Sequence, residues 1–259
     1  MAMAGNDKVA SAGKRGGTKN KKALTICLAI IVSIVCLCIE YAIFSHIADK
    51  RRAESVKAAL PEPVVSVAVV EAAEAVAVAE PVAVRDSEFD DSMRDINPDY
   101  VCWLKIDGTD ISYPVVRGND NEFYLNNDFY GDENRFGSIF MDYRCVGSYV
   151  PNVIVFGHNS RDGGMFGGLR NFLDETYLVE HPAITLVVDG MAFQYDIFSV
   201  RKTDVTDPAY CVGFDAPGSF AVFAGRCGAP DGVAQILTLS TCVSGNDKDE
   251  RVIIQAALS

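Results

Sequence analysis

The sequence predicts a mainly β domain, a closed barrel or a sandwich of eight short strands with few helices, set behind one N-terminal transmembrane helix. Three observations carry this. Residues 23–44, "ALTICLAIIVSIVCLCIEYAIF", form a long apolar run. A stretch built almost wholly from Ala, Val, Glu and Pro follows at 61–84. Beyond it, short apolar and β-branched runs alternate with Gly, Asn and Asp, the texture of strands and turns.

Six of the first 22 residues are Lys or Arg, which gives a basic tail over 1–22. The next segment, 23–46, is read as the anchor, with only Glu40 interrupting its apolar run. Roughly 20 apolar residues cross a bilayer, whereas a signal-peptide core has about 7–15 and ends at small residues. No convincing A-x-A site follows, so the helix is read as uncleaved. Its basic flank stays cytoplasmic by the positive-inside tendency, which places the C-terminal bulk outside. Residues 47–90 are read as an extracellular linker, since their low-complexity part has no alternation of large core residues with turns. The folded domain is expected over 91–259.

Eight runs read as strands: "VCWLKI" (101–106), "ISYPVV" (111–116), "GSIFMDY" (137–143), "NVIVFGH" (152–158), "AITLVVD" (183–189), "MAFQYDIFSV" (191–200), "QILTLSTC" (235–242) and "RVIIQAAL" (251–258). Asp189-Gly190 between two of them is a hairpin signal. Helices are expected at 87–95, at 165–178 and at 215–227, the last opening on Asp215 and Pro217 as cap and first turn.

The formal net charge of −12 argues against nucleic acid as a partner, because phosphate binding needs a basic surface. Five cysteines lie outside the anchor, an odd number, so at least one has no partner within the domain. No C-x-x-C or His-x-x-His pattern points to a metal, and no cofactor is implied. The acidic stretch 118–134 matches no hand-type calcium loop and reads as solvated surface.

Cys242 ends one predicted strand and Arg251 opens the next. Paired antiparallel, the two face each other at the mouth of a hairpin. A cation beside a thiol favours the reactive thiolate, and a guanidinium can also donate to an oxyanion. Strand alternation puts Thr238, Ser240 and Cys242 on one face and Leu237, Leu239 and Thr241 on the other. His158 ends the run "NVIVFGH", where a strand presents functional groups, while His181 at a predicted helix end reads as structural. Cys242, His158 and Arg251 are therefore the one set with a complete complement of acyl-transfer roles.

"TLSTC" with Arg251 nine residues past the cysteine, and "VFGHN" upstream, resembles the sortases, cysteine transpeptidases of the Gram-positive cell surface. The resemblance spans about residues 92–259. "NPDYVCWLKIDGTDISYPVVRGNDNEFYLNNDF", "GSIFMDYR" and the long segment 201–234 resemble the class B branch. It implies an eight-stranded sortase-type β-barrel with a few peripheral helices. It further implies that Cys242 attacks the threonine carbonyl of a C-terminal sorting signal in a surface protein. His158 would then shuttle the proton and Arg251 would steady the oxyanion. The acceptor amine would come from a peptidoglycan precursor or a pilin. Ser240, Thr241 and Asn159, which match or flank the family motifs, would line or buttress the substrate groove. Two alternatives stay open: a cysteine hydrolase or L,D-transpeptidase-like cell-wall enzyme, and a non-catalytic surface barrel.

Overall fold

The computed structural model describes residues 17–63, 82–83, 87–147, 150–242 and 249–259. Residues 1–16, 64–81, 84–86, 148–149 and 243–248 lie outside the described residues. The chain divides into two compact units, Met1–Ala48 and Asp49–Ser259. The described part of the first is helical and belongs to α1 (Gly17–Ala59). From Leu24 onward this helix is long and apolar enough to cross a membrane.

The second unit is a barrel of β2 (Tyr100–Lys105), β3 (Ser112–Val116), β4 (Ile139–Met141), β5 (Asn152–Phe156), β6 (Ala183–Val188), β7 (Met191–Asp204), β8 (Ile236–Cys242) and β9 (Glu250–Leu258). Its order is β7-β6-β2-β3-β4-β5-β8-β9, and a pairing of β9 with β7 closes it. The two-residue β1 (Val82–Ala83) adds to β7 beside Met191 and Ala192. The β3–β4 and β5–β8 pairs are parallel, and the other pairs are antiparallel. All eight expected strands are present. Asp189 and Gly190, at φ 48° and 71°, make the two-residue hairpin turn whose positive φ values suit Asp-Gly.

Alternation along each strand sorts its side chains between the barrel interior and an outer layer. Leu104, Ile139, Ile154, Leu237, Leu239 and Ile254 fill the interior. Trp103, Tyr100 and Val116 instead face an outer cluster with Met93, Tyr124, Phe129 and Leu60. Trp103 satisfies its buried N–H on the Ser112 hydroxyl at 2.9 Å. The outer cluster is covered by α2 (Ser87–Ile96), whose Asp90 accepts from the Tyr100 hydroxyl at 2.7 Å and from the Gly190 backbone at 2.8 Å.

Three sequence expectations are corrected. The helix expected over 165–178 is a 3₁₀ stretch, Gly167–Leu173, followed by α3 (Glu175–Glu180). Asp174 between them is extended and caps α3 by accepting from Thr176 and Tyr177, so one apolar face runs through two elements. The helix expected from Asp215 begins at Ser219: α4 (Ser219–Cys227) is entered through Gly218 at φ 79°, and Asp215 and Pro217 precede it. The stretch 118–134 is not a solvated surface, since Tyr124, Asp128, Phe129 and Asn134 within it are buried. Residues 49–59 form the C-terminal part of α1, and Leu60 just after it sits in the outer cluster.

Candidate active site

Three neighbouring strands build the site. In the β8–β9 pair Cys242 is the register partner of Arg251, as alternation and hairpin reasoning required. In the parallel β5–β8 pair Asn152 matches Ile236 and Phe156 matches Ser240. One more step of that register sets Gly157 beside Thr241, with His158 following it. The extension is held by real bonds, because Gly157 donates to the Ser240 carbonyl at 3.2 Å and accepts from the Thr241 hydroxyl at 2.8 Å. Cys242 therefore ends β8 opposite Arg251 of β9, on the strand flanked on its other side by the chain that leads into His158.

Gly157 is fixed by packing. A Cβ there would lie 2.4 Å from Ile139 Cδ1 and 2.8 Å from the Phe166 ring, so the chain passes between two buried side chains just before the histidine. β5 has ended at Phe156, and beyond His158 the chain turns, with the His158 carbonyl accepting from the Phe166 backbone at 2.9 Å. On its ring, His158 Nε2 lies 2.6 Å from the Leu125 carbonyl oxygen. A carbonyl oxygen only accepts, so in this contact Nε2 carries the proton. Arg251 donates from its guanidinium to the Glu250 carbonyl at 3.0 Å.

A groove of about 320 Å³ opens over these strand ends. Its lining includes His158, Arg251, Ser240, Thr241 and Gly157. Residues the sequence did not single out complete it: Asn121, Leu125, Phe140, Asp142, Arg144, Phe156, Val205 and Tyr210. Asn159 is not among the described lining residues; it forms a single antiparallel bridge with Met165. Ser240 is reached from outside by the Tyr210 hydroxyl at 2.8 Å, and the Tyr210 ring stacks on Phe156 with centroids 6.2 Å apart.

The segment carrying Tyr210 is held by a buried polar network. Asn152 donates to the carbonyls of Ala209 and Cys211, both at 2.8 Å. Its side-chain oxygen accepts from Thr238 at 2.9 Å. Asp207 caps the turn Pro208–Tyr210 and accepts from Arg201, which also reaches Gln255 at 2.8 Å. Thr238 and Ser240 thus face outward from the barrel yet stay buried, because this segment covers them.

Electrostatics set the groove wall. Burial alone would raise the Asp142 carboxyl, but hydrogen bonds and charge from Arg144 outweigh it and hold Asp142 below the usual carboxylate range. The Arg144 fork donates to Asp142 at 2.9 and 2.7 Å, the two-pronged geometry that suits carboxylates. Among the other cysteines of this unit, Cys102 and Cys145 are buried thiols, and burial pushes both up. Cys227 is pushed up by burial as well. All three are poor nucleophiles on that ground. His181 is structural, as read: it caps α3, its Nδ1 lies 2.9 Å from the Asp107 carbonyl, and its ring packs on Tyr177.

The sequence signals for the missed residues are uneven. Asp142 and Arg144 sit in "MDYR" at the end of a strand, an Asp-x-Arg spacing that could have been read as a clamp. Asn121, Leu125 and Tyr210 come from irregular segments, and no local pattern marks them.

The Sortase domain family matches residues 104–259. Sortase B of Listeria monocytogenes is 33% identical over 190 residues, covering 67% of this chain and 76% of that protein. The crystal structure of Clostridium perfringens sortase B superposes with a TM-score of 0.60 at 30% identity, covering 65% of this chain and 98% of that one. A Staphylococcus aureus sortase B–substrate complex gives a TM-score of 0.61 at 31% identity, over 69% of this chain and 87% of that one. A closed eight-stranded barrel with a cysteine, a histidine and an arginine at adjoining strand ends, in a chain this similar to B-class enzymes, belongs to the sortase family of cysteine transpeptidases that anchor surface proteins.

Proposed function

We propose that this chain is a membrane-anchored transpeptidase that cleaves a C-terminal sorting signal after threonine and passes the acyl group to an amine. The observation that supports the reading is that Cys242 ends β8 as register partner of Arg251, beside the strand that leads into His158, while His158 and Arg251 line one groove. The Cys242 thiolate attacks the threonine carbonyl carbon, forming a C–S bond and an oxyanion. Arg251 donates to that oxyanion. As the C–N bond breaks, protonated His158 gives its proton to the leaving amine, which leaves a thioacyl-enzyme. The incoming amine then attacks, His158 takes its proton, and the C–S bond breaks to regenerate the thiolate.

Ser240 and Thr241 line the groove beside the substrate backbone, and Asn159 supports the loop after His158. The acceptor amine belongs to a peptidoglycan precursor or a pilin lysine. Residues 1–22 form a cytoplasmic tail and 23–46 the single membrane span. Residues 47–90 are the connection, and 91–259 the extracellular catalytic domain. The helix end 49–60 packs with the domain rather than standing apart from it.

The test is intact-mass spectrometry on the full chain in detergent micelles, with a panel of Pro-x-Thr peptides and an added amine. A peptide adduct should form, convert to the amine-capped product, and vanish in Cys242→Ala. Transfer that persists in Cys242→Ala sinks the mechanism, and an adduct that resolves only to water makes the enzyme a hydrolase.

A further inference from the structure

The helix end Asp49–Ala59 lies against two loops, and both belong to His158. One is the chain that follows it, residues 159–166. Lys50 Nζ reaches Asp162 at 2.6 Å. The same carboxylate accepts from the Ser160 hydroxyl at 2.5 Å and from the Gly164 backbone at 3.3 Å. The other loop follows Leu125, whose carbonyl accepts a hydrogen bond from the His158 ring. Arg52 Nε donates to Asp128 at 2.6 Å, and its other arm pairs with Asp132. Asp128 in turn accepts from the backbone of Tyr130 and Asp132 at 3.0 and 3.2 Å. Gly137 closes this loop with no room for a side chain, since a Cβ would lie 2.6 Å from the carbonyls of Tyr124 and Leu125.

A third tie runs to the same place. Lys57 Nζ sits 4.2 Å above the centre of the Tyr113 ring and donates to the Asp110 carbonyl at 2.7 Å. The Tyr113 hydroxyl accepts from the Met165 backbone at 3.0 Å. Exposed ion pairs taken singly contribute little, so the argument rests on convergence and on one buried charge. The Asp128 side chain is 3% exposed, against 43% for Arg52. A buried carboxylate that loses its cation is costly, and here the loss falls on the loop that holds His158.

We propose that the helix end Asp49–Ala59 is a positioning element for the proton-transfer step, with Lys50 and Arg52 fixing the two loops that orient the His158 ring. The proposal rests on the catalytic role proposed for His158. A ring displaced by a fraction of an ångström still permits substrate to enter the groove, because neither Lys50 nor Arg52 lines it. Its effect therefore falls on turnover and not on binding.

The experiment compares the full chain in micelles with Lys50→Ala/Arg52→Ala, with the charge-keeping Lys50→Arg/Arg52→Lys, and with His158→Ala. The substrate is the peptide that gives the adduct described above. Removal of both charges should lower kcat on the order of 10-fold, within the roughly 100-fold that a misplacement of about 1 Å can cost. KM should change less than about 2-fold, and the charge-keeping pair should recover most of kcat. Nitrogen NMR of the His158 ring should show the Nε2-protonated tautomer in the parent protein and its loss in the alanine pair. Unchanged kcat in the alanine pair, with His158→Ala inactive, overturns the positioning role alone. A fall in kcat that follows thermal unfolding and is not recovered by the charge-keeping pair overturns it too. Transfer that survives His158→Ala removes the catalytic reading beneath it.

Discussion

At the scale of single residues the site divides into what spacing reveals and what only packing reveals. Asp142 is buried, and Arg144 holds its carboxyl below the ordinary range. A depressed folded value means the pair stabilises the fold above the unfolded carboxylate pKa of about 3.9. That stability disappears as pH falls through the folded value. Thermal unfolding of Asp142→Asn should therefore differ most from the parent near neutral pH, and the gap should narrow below about pH 4. A gap constant from pH 7 to 3 would assign the effect to shape and not to charge. Cys242 and Arg251 were legible because both lie in strands, where a short loop and alternation determine which residues meet. His158 was legible because it follows a strand, with a single glycine between them. Tyr210 and Leu125 were not, since long-range contacts place them: Asn152 holds the turn of one, and Gly137 crowds the carbonyl of the other.

At the scale of elements, strands were read more faithfully than helices, and the reason is local. A period of two over five or more residues has few rivals, whereas an i, i+3 pair such as Leu169 and Phe172 lines up in a 3₁₀ stretch as readily as in an α-helix, and only Leu173, a third of a turn away and exposed, betrays the difference. Gly167 and Gly168 weaken the α form, and Asp174 then starts a new helix. With Asp174 accepting from Thr176 and Tyr177 at 2.8 and 3.3 Å, its cap is worth about 1 kcal/mol. Asp174→Ala should lower unfolding free energy by about that amount in denaturant titration, with turnover near the parent value, because α3 lies outside the groove. Asp174→Asn, which keeps an acceptor, should lose much less. The expected start of α4 at Asp215 fails for a similar reason. Asp and Pro mark a turn as often as a cap, and the left-handed Gly218 sets the real entry.

At the scale of the molecule, closure is the governing feature. β7 pairs with β6 along its first half and with β9 along most of its length. Among the described residues each barrel strand therefore pairs with a neighbour on both sides. Amides of β8 and β9, paired on both sides and packed beneath the interior cluster, should exchange with solvent most slowly in native-state hydrogen exchange. Protection peaking in β2 and β3 instead would place the most stable part of the barrel elsewhere. The barrel topology was only half legible, since eight strands fit a sandwich as well, and the β7–β9 pairing that decides between them joins residues about 55 positions apart. That pairing also ties the site to closure. β9 closes the barrel against β7 and carries Arg251, the register partner of Cys242. A barrel that opens along this seam loosens the strand that holds the guanidinium, so the fold and the active site come apart together.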